Sequence, residues 1–169
     1  MTPGVRRRPG PWWARGVVAC AGVLVTTGCS GGPVEIDAPA LSAADRAACE
    51  RLVADLPETL AGLESRETTG DTAYGAAWGD PAIVLTCGVG VPAEFDEFSA
   101  CTDVSGVGWF VPPEQEEDQD SDVLLTAAGH APRVSLLVPA DRRGAESADA
   151  LVTISALVEK DLTLEDDCT

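Results

Sequence analysis

A basic and apolar segment at the start of the chain decides how many residues remain to fold and in which compartment. Arginines precede an apolar run from Gly16 to Thr27, and Gly28 and Cys29 follow it. This order of basic, apolar and small residues is typical of a secretory signal. A membrane helix needs about 20 apolar residues, so the run is too short to span a bilayer. The sequence therefore predicts an exported protein with a signal peptide at residues 1–28.

The residues that end this segment indicate how the exported part is held. Val25-Thr26-Thr27-Gly28-Cys29 resembles a bacterial lipobox, whose cysteine becomes the first mature residue and receives a diacylglyceryl group. Each buried methylene contributes about 0.8 kcal/mol, and two acyl chains such as palmitate suffice for stable anchoring. We therefore expect membrane lipid to hold the protein through acylated Cys29, at the outer face of the cell membrane. The alternative is a secreted protein that is cut near the same place.

The charge of the exported part excludes one class of partner. The chain has 11 basic and 28 acidic residues, a net charge of −17. Four of the basic residues belong to the signal, which leaves 7 against 28 and a net charge of −21 for the mature part. They are Arg6, Arg7, Arg8 and Arg15. Nucleic acid repels such a body, so we expect no nucleic-acid binding.

Four cysteines follow Cys29 in the exported part: Cys49, Cys87, Cys101 and Cys168. An even number in an exported chain is typical of disulfides. The spacings contain no Cys-x-x-Cys and the chain has a single histidine, which argues against a zinc site. Three pairings are open from the sequence alone.

A short segment without periodicity separates the signal from the rest. Residues 29–41 are rich in Gly, Pro and acidic side chains and are predicted to be a flexible tether. A random coil of this length spans roughly 20 Å. The remainder, residues 42–169, has the length of one domain.

Two helices are predicted, one at each end of this domain. Ser42 caps the first, and its apolar residues recur at helical spacing on one face. These residues are Ala48, Cys49, Leu52, Val53 and Leu56. Ser147 caps the second, whose apolar stripe is Leu151, Ile154, Val158 and Leu162. Cys49 is therefore expected to face the body of the protein.

Four strands are predicted between the helices. They are Ile83–Val89, Val104–Val111, Val123–Ala128 and Arg133–Val138. Cys87 shares the apolar side of the first strand, so a Cys49–Cys87 disulfide would join it to the first helix. Cys101 would then pair with Cys168, although the other pairings stay open. The order predicts an α+β fold, with an antiparallel sheet of about four strands flanked by an N-terminal and a C-terminal helix and stapled by disulfides.

Two tryptophans are candidate contacts for a ligand. Trp78 and Trp109 lie beside glycine-rich turns and could line a groove for a sugar or a peptide. The competing interpretation places each at one end of the core, because aromatic side chains dominate core burial. We favour the core interpretation and keep the two residues as the candidate binding surface.

The sequence offers no clear catalytic residue, cofactor site or metal site. Residues 114–122 are rich in carboxylates and partly match a calcium loop, but Val123 and Gly129 stand where that loop needs Gly and Glu. The run is therefore expected to be a solvated, mobile hairpin loop, with a weak surface cation site as the alternative. His130 is the only histidine and is expected to be structural or on the surface. Gly-x-Ser-x-Gly does not occur in the predicted domain, residues 42–169.

Several motifs besides the lipobox occur between residues 45 and 160. They are Leu56-Pro57-Glu58-Thr59-Leu60 after Cys49, the run from Trp78-Gly79-Asp80-Pro81 to Cys87-Gly88, Val104-Ser105-Gly106-Val107-Gly108-Trp109, and Val138-Pro139. Together they resemble the actinobacterial lipoprotein family catalogued as domain of unknown function 3515. That family has no assigned activity, so the resemblance implies location and architecture and leaves function open.

The sequence as a whole favours a non-catalytic binding or scaffolding module of the cell envelope, with an envelope protein or the cell wall as a second partner beside membrane lipid. The alternative is a small envelope hydrolase acting on cell-wall carbohydrate or peptide. Exposed apolar or aromatic side chains would favour the first function. A cleft where carboxylates or His130 converge would favour the second.

Overall fold

The computed structural model describes Met1, Gly4, residues 31–166 and Cys168. Nearly all of the predicted signal, together with Cys29, lies outside the described residues. Within the described part, no helix is both long enough and apolar enough to cross a membrane.

In chain order the strands are β1 (Val34–Ile36), β2 (Thr59–Leu60), β3 (Leu63–Glu64), β4 (Thr68–Gly70), β5 (Gly75–Trp78), β6 (Ile83–Val89), β7 (Thr102–Val104), β8 (Val107–Phe110), β9 (Val123–Ala127), β10 (His130–Ala131), β11 (Arg133–Val138) and β12 (Thr163–Leu164).

One antiparallel sheet forms the centre of the fold. Its six strands lie in the order β5, β6, β11, β9, β8 and β7, and each neighbouring pair is antiparallel. The helices are α1 (Ala43–Ala54), α2 (Pro113–Glu117) and α3 (Ala145–Asp161). The predicted α+β class is therefore confirmed, with six strands in the sheet instead of about four.

One face of the sheet is covered by α1 and α3, and we call it the helix face. Four residues that are paired in register and 0% exposed form a row across it: Cys87, Val134, Ala127 and Trp109. The Cys49–Cys87 disulfide joins α1 to one end of the row, with 5.6 Å between the Cα atoms. At the other end, Trp109 Nε1 donates a hydrogen bond to Ser155 Oγ on α3 at 2.9 Å.

Loops cover the opposite face, which we call the loop face. Successive residues of a strand alternate between faces, so Phe110 points to the side opposite its neighbour Trp109. Phe95 packs edge-on against Phe110, with ring centroids 5.1 Å apart and planes at 73°. The segment between β6 and β7 therefore lies over this face.

The second disulfide also lies over the loop face. Cys101 and Cys168 are bonded, with 5.6 Å between their Cα atoms. A Cβ built on Gly108 would lie 2.6 Å from the carbonyl oxygen of Cys168 and 3.4 Å from Cys101 Cβ. Glycine is needed there because the disulfide passes directly over the strand. Both disulfides are the pairs favoured from the sequence.

The segment predicted as a tether is folded in part. β1 pairs in parallel with β4, and Ile36 is 1% exposed. A Cβ on Gly75 would lie 2.7 Å from Ile36 Cγ2, so Ile36 packs directly onto the backbone of β5. This differs from the flexible coil expected for residues 29–41. Backbone pairing and the burial of one isoleucine offset the ordering entropy of a short Gly- and Pro-rich segment.

Two other boundaries differ from the prediction. The single strand predicted at Val104–Val111 is the hairpin of β7 and β8, whose turn residues Ser105 and Gly106 have φ of 51° and 86°. Positive φ at both positions suits a two-residue hairpin turn. Helix α3 begins after Gly144 and not at Ser147, whose hydroxyl accepts a hydrogen bond from the Gly144 N–H at 3.0 Å. By contrast, β6 and β11 have the predicted bounds.

Candidate functional site

Two adjoining cavities meet at the N-terminal end of the described chain and share Ser65 and Arg66. The first cavity, of about 210 Å³, has apolar and polar lining residues; besides the shared pair they are Val53, Leu56, Pro57, Glu58, Thr68, Ala76, Ala77 and Trp78. The second cavity, of about 330 Å³, is lined by Gly31, Gly32, Pro33, Ser65, Arg66 and Glu67. Together they form the candidate site.

Arg66 and Asp80 hold the segment Gly31–Gly32 in this site, and we call the pair the clamp. The guanidinium of Arg66 donates to the carbonyl oxygens of Gly31 and, at 2.9 Å, of Gly32. The Gly31 N–H donates to Asp80 Oδ2 at 3.2 Å. Arg66 Nη1 and Asp80 Oδ1 lie 3.5 Å apart, and the Arg66 side chain is 16% exposed. The clamp therefore binds both an N–H group and the carbonyl groups of this segment.

The turn after β5 positions Asp80. Arg66 Nη1 donates to the carbonyl oxygen of Gly79 at 2.9 Å. A second arginine, Arg142, donates to the carbonyl oxygens of Asp80 at 3.0 Å and of Pro81 at 2.7 Å. A guanidinium presents several donors in one rigid plane, which suits the fixing of consecutive carbonyl groups. The Trp-Gly-Asp-Pro motif is thus a rigid platform for the clamp.

The bonding of Arg66 limits what the site can do chemically. Its guanidinium already donates to three carbonyl oxygens, those of Gly31, Gly32 and Gly79. It is therefore engaged with the backbone and is not held ready for an anionic ligand. The arrangement binds a segment of the chain's own backbone, and the first cavity adjoins it through Ser65 and Arg66.

The two tryptophans predicted as a binding surface are buried, which corrects that interpretation. Trp78 is 1% and Trp109 0% exposed. The indole N–H of Trp78 donates to the carbonyl oxygen of Pro57 at 2.9 Å, and that of Trp109 to Ser155. Each indole is satisfied inside the protein, so neither side chain offers a contact surface. Both belong to the hydrophobic core, as the core interpretation that we favoured expected.

His130 lies in a small cavity on the other side of the molecule. It is 3% exposed, and its Nδ1 has no hydrogen-bond partner. Asp103 and Asp166 line the same cavity, whose volume is about 60 Å³. Burial lowers the pKa of His130 below its usual value, and the negative charge of Glu159 opposes this shift. The lowered pKa favours the neutral imidazole near pH 7.

The acidic run at residues 114–122 is hydrogen-bonded to the segment between β11 and α3. Arg143 donates to the carbonyl oxygens of Gln115, Asp118 and Ser121 at 2.9, 2.6 and 3.1 Å. Asp122 Oδ1 accepts from the Ala140 N–H at 2.9 Å. The run therefore differs from the mobile loop that was expected. Among the described residues, no cluster of three or more His, Cys, Asp or Glu side chains is arranged to hold a metal ion.

The sequence prediction missed two features. The first is the clamp, whose sequence signal is the aspartate of Trp-Gly-Asp-Pro together with an isolated Arg66. The second is Phe98, which is 86% exposed in the segment between β6 and β7. Its signal is a pair of phenylalanines three residues apart, Phe95 and Phe98, in an otherwise acidic segment.

A comparison with known proteins covers most of the chain. A family model described as "Protein of unknown function (DUF3515)" matches residues 13–166. No curated protein and no solved structure matches. The matched range contains the whole six-stranded sheet, both cavities and the clamp.

Proposed function

The chain belongs to the DUF3515 family of proteins of unknown function, and from this premise we propose that it is a lipid-anchored, non-catalytic binding module of the cell envelope. Acylated Cys29 holds it at the outer face of the cell membrane. The lipobox-like sequence and the paired cysteines support export and anchoring.

The single observation that carries this proposal is the clamp on Gly31–Gly32. Gly31 stands two residues after Cys29, and two extended residues span at most about 7 Å. A flexible tether over residues 29–41 would instead allow roughly 20 Å. The clamp thus gives the folded body a short connection to the lipid, and one defined side faces the membrane. A scaffold that presents a binding surface needs such a fixed orientation.

The enclosed geometry around His130 supports a non-catalytic role. Ligand pockets measure about 300 Å³ or more, whereas the cavity shared by His130, Asp103 and Asp166 measures about 60 Å³. A sugar ring or a peptide does not fit such a space. The tail that carries Cys168 also lines it.

A small envelope hydrolase remains the second candidate, because two carboxylates and the single histidine line one cavity. Asp103, His130 and Asp166 would be its acid and base groups. Activity would require the C-terminal tail to move away from this cavity.

Acyl labelling tests the anchor. The full chain is expressed in a bacterium that processes lipoproteins and is fed an alkyne fatty acid. We expect label and membrane fractionation for the wild type and for Cys20→Ala, and loss of both for Cys29→Ala. Cys20→Ala is the matched control, since Cys20 lies inside the predicted signal. Equal labelling of Cys29→Ala would contradict the proposal.

Incubation of the purified mature protein with cell-wall peptidoglycan separates the two candidate functions. A binding module releases no soluble fragments. If the wild type released soluble fragments and the Asp103→Asn variant did not, the protein would instead be a hydrolase.

A further inference from the structure

An exposed aromatic side chain stands out on the surface of the described residues. Phe98 is 86% exposed, and Val91 in the same segment is 55% exposed. Scattered apolar residues are normal on protein surfaces. Exposing a phenylalanine side chain to water costs more free energy than exposing most smaller apolar side chains. Such exposure points to a contact surface when the backbone that carries the side chain is held in one conformation.

A set of local hydrogen bonds fixes the turn that carries Phe98. The Phe98 N–H donates to Asp96 Oδ1 at 2.9 Å, and the Asp96 N–H donates to Ser99 Oγ at 2.9 Å. The Ser99 N–H donates to the Asp96 carbonyl oxygen at 3.1 Å. Aspartate and serine side chains stabilise tight turns in this way. The turn therefore presents Phe98 in a defined direction.

The base of the segment is attached to the core at two points. Phe95 packs on the buried Phe110, and Cys101 is bonded to Cys168. Phe95 thus packs against the core, whereas Phe98, three residues later, is exposed to solvent. A rigid aromatic side chain loses little entropy on binding, which is typical of residues that dominate protein interfaces.

The surroundings of Phe98 are acidic. Glu94, Asp96 and Glu97 are exposed beside it. The sequence has no lysine or arginine from Glu67 to Pro132. Anionic lipid headgroups repel such a patch, which disfavours insertion of Phe98 into a membrane. A protein surface with basic side chains complements it.

We infer that Phe98, with the acidic rim Glu94, Asp96 and Glu97, is the contact point for an envelope protein that offers an apolar pocket bordered by lysine or arginine. This inference rests on the proposed function of a membrane-anchored binding module and names the chemistry of its partner. Phe98 fills the pocket, and the carboxylates set orientation and speed association.

Photocrosslinking in cells tests the inference on the full anchored chain. Benzoylphenylalanine replaces Phe98, and a matched protein carries it at Val152, an apolar residue of α3 that is 52% exposed. We expect position 98, and not position 152, to crosslink to one envelope protein, at a peptide that contains lysine or arginine. Fatty-acid labelling of the same sample reports the anchor separately, so a labelled protein with no specific crosslink overturns this inference and leaves the proposed function standing.

Binding measurements with the purified, crosslinked protein complete the test. Phe98→Ala is expected to weaken affinity by about thirtyfold, as for a dominant interface residue. Glu94→Lys with Glu97→Lys should slow association, and Val152→Ala should leave affinity unchanged. Crosslinks only to lipid, or only to a second copy of the chain, overturn the inference. So does saturable binding to phosphatidylglycerol vesicles that depends on Phe98.

Discussion

The helix face and the loop face of the central sheet are closed in different ways. On the helix face, two helices cover large apolar side chains, and Cys49 and Cys87 are 0% exposed. On the loop face, the segment between β6 and β7 packs on Phe110, and the Cys101–Cys168 disulfide crosses Gly108. Polar residues such as Thr126 and Ser135 also point to this face. Each face has its own disulfide. The two faces differ in their cover, which is packed helices on the helix face and disulfide-bonded loops on the loop face.

The difference bears on stability and on which side chains are exposed to solvent. Helices bury area continuously, so the helix face gains stability from many apolar contacts. Loops bury less area per residue and need covalent or local hydrogen-bonded fixing. The loop face is therefore free to present side chains to solvent, and Phe98, the most exposed aromatic side chain among the described residues, lies there.

Removing each disulfide in turn tests this contrast with the largest expected effect. The loops closed by Cys49–Cys87 and Cys101–Cys168 contain 38 and 67 residues, for which chain entropy predicts about 4 kcal/mol each. We expect Cys49→Ala with Cys87→Ala to cost about 1–2 kcal/mol more than the other double variant, because it also leaves a buried cavity. Urea unfolding without reductant measures both. If the two double variants lost the same free energy of unfolding, or if the Cys101–Cys168 variant lost more, the effect of a disulfide would depend on loop length and not on packing.

Ser155→Ala tests the helix face by removing one polar contact. It leaves the buried Trp109 N–H without an acceptor, which is expected to lower the free energy of unfolding by about 1–3 kcal/mol. Thr153→Ala on the exposed side of α3 is the control and should change it by less than about 0.5 kcal/mol. Equal effects of the two variants would show that the indole N–H finds another partner.

The sequence predicted the central strands better than the edges of the sheet for a physical reason. Strands β6 and β11 and the burial of Cys87 follow from apolar alternation, because one strongly buried face imposes a clear period of two. The hairpin turn at Ser105–Gly106 was missed, since the alternation continues across it. β5 was missed as well, because Gly-Ala-Ala lacks the branched residues typical of strands.

The candidate site was harder to predict than the fold. The clamp joins Gly31, Arg66 and Asp80, which are distant in the chain and carry no periodic signal. Only the tertiary structure brings them together. Phe98 could not be separated from Phe95 by sequence, because both stand in the same acidic segment and only the fold decides which one packs.

Phe95→Ala tests how the loop face is held. It removes the edge-to-face contact with Phe110 and some buried area, so we expect a loss of about 1–2 kcal/mol. Phe98→Ala is the matched control and should leave the free energy of unfolding within about 0.5 kcal/mol. A comparable loss from Phe98→Ala would mean that Phe98 supports the fold, and its exposure would then need another explanation.

The smallest expected effect is the pH dependence from His130 beneath the C-terminal tail. Burial lowers its pKa in the folded state, so the unfolded state takes up a proton first as pH falls below about 6.5. The free energy of unfolding should therefore decrease from pH 7 towards about pH 5, on top of the carboxylate titrations. His130→Gln should flatten this part of the curve. Glu159→Gln should steepen it, because the Glu159 charge opposes the pKa shift. Parallel curves for His130→Gln and the wild type would show that titration of this imidazole does not contribute to the pH dependence of the free energy of unfolding.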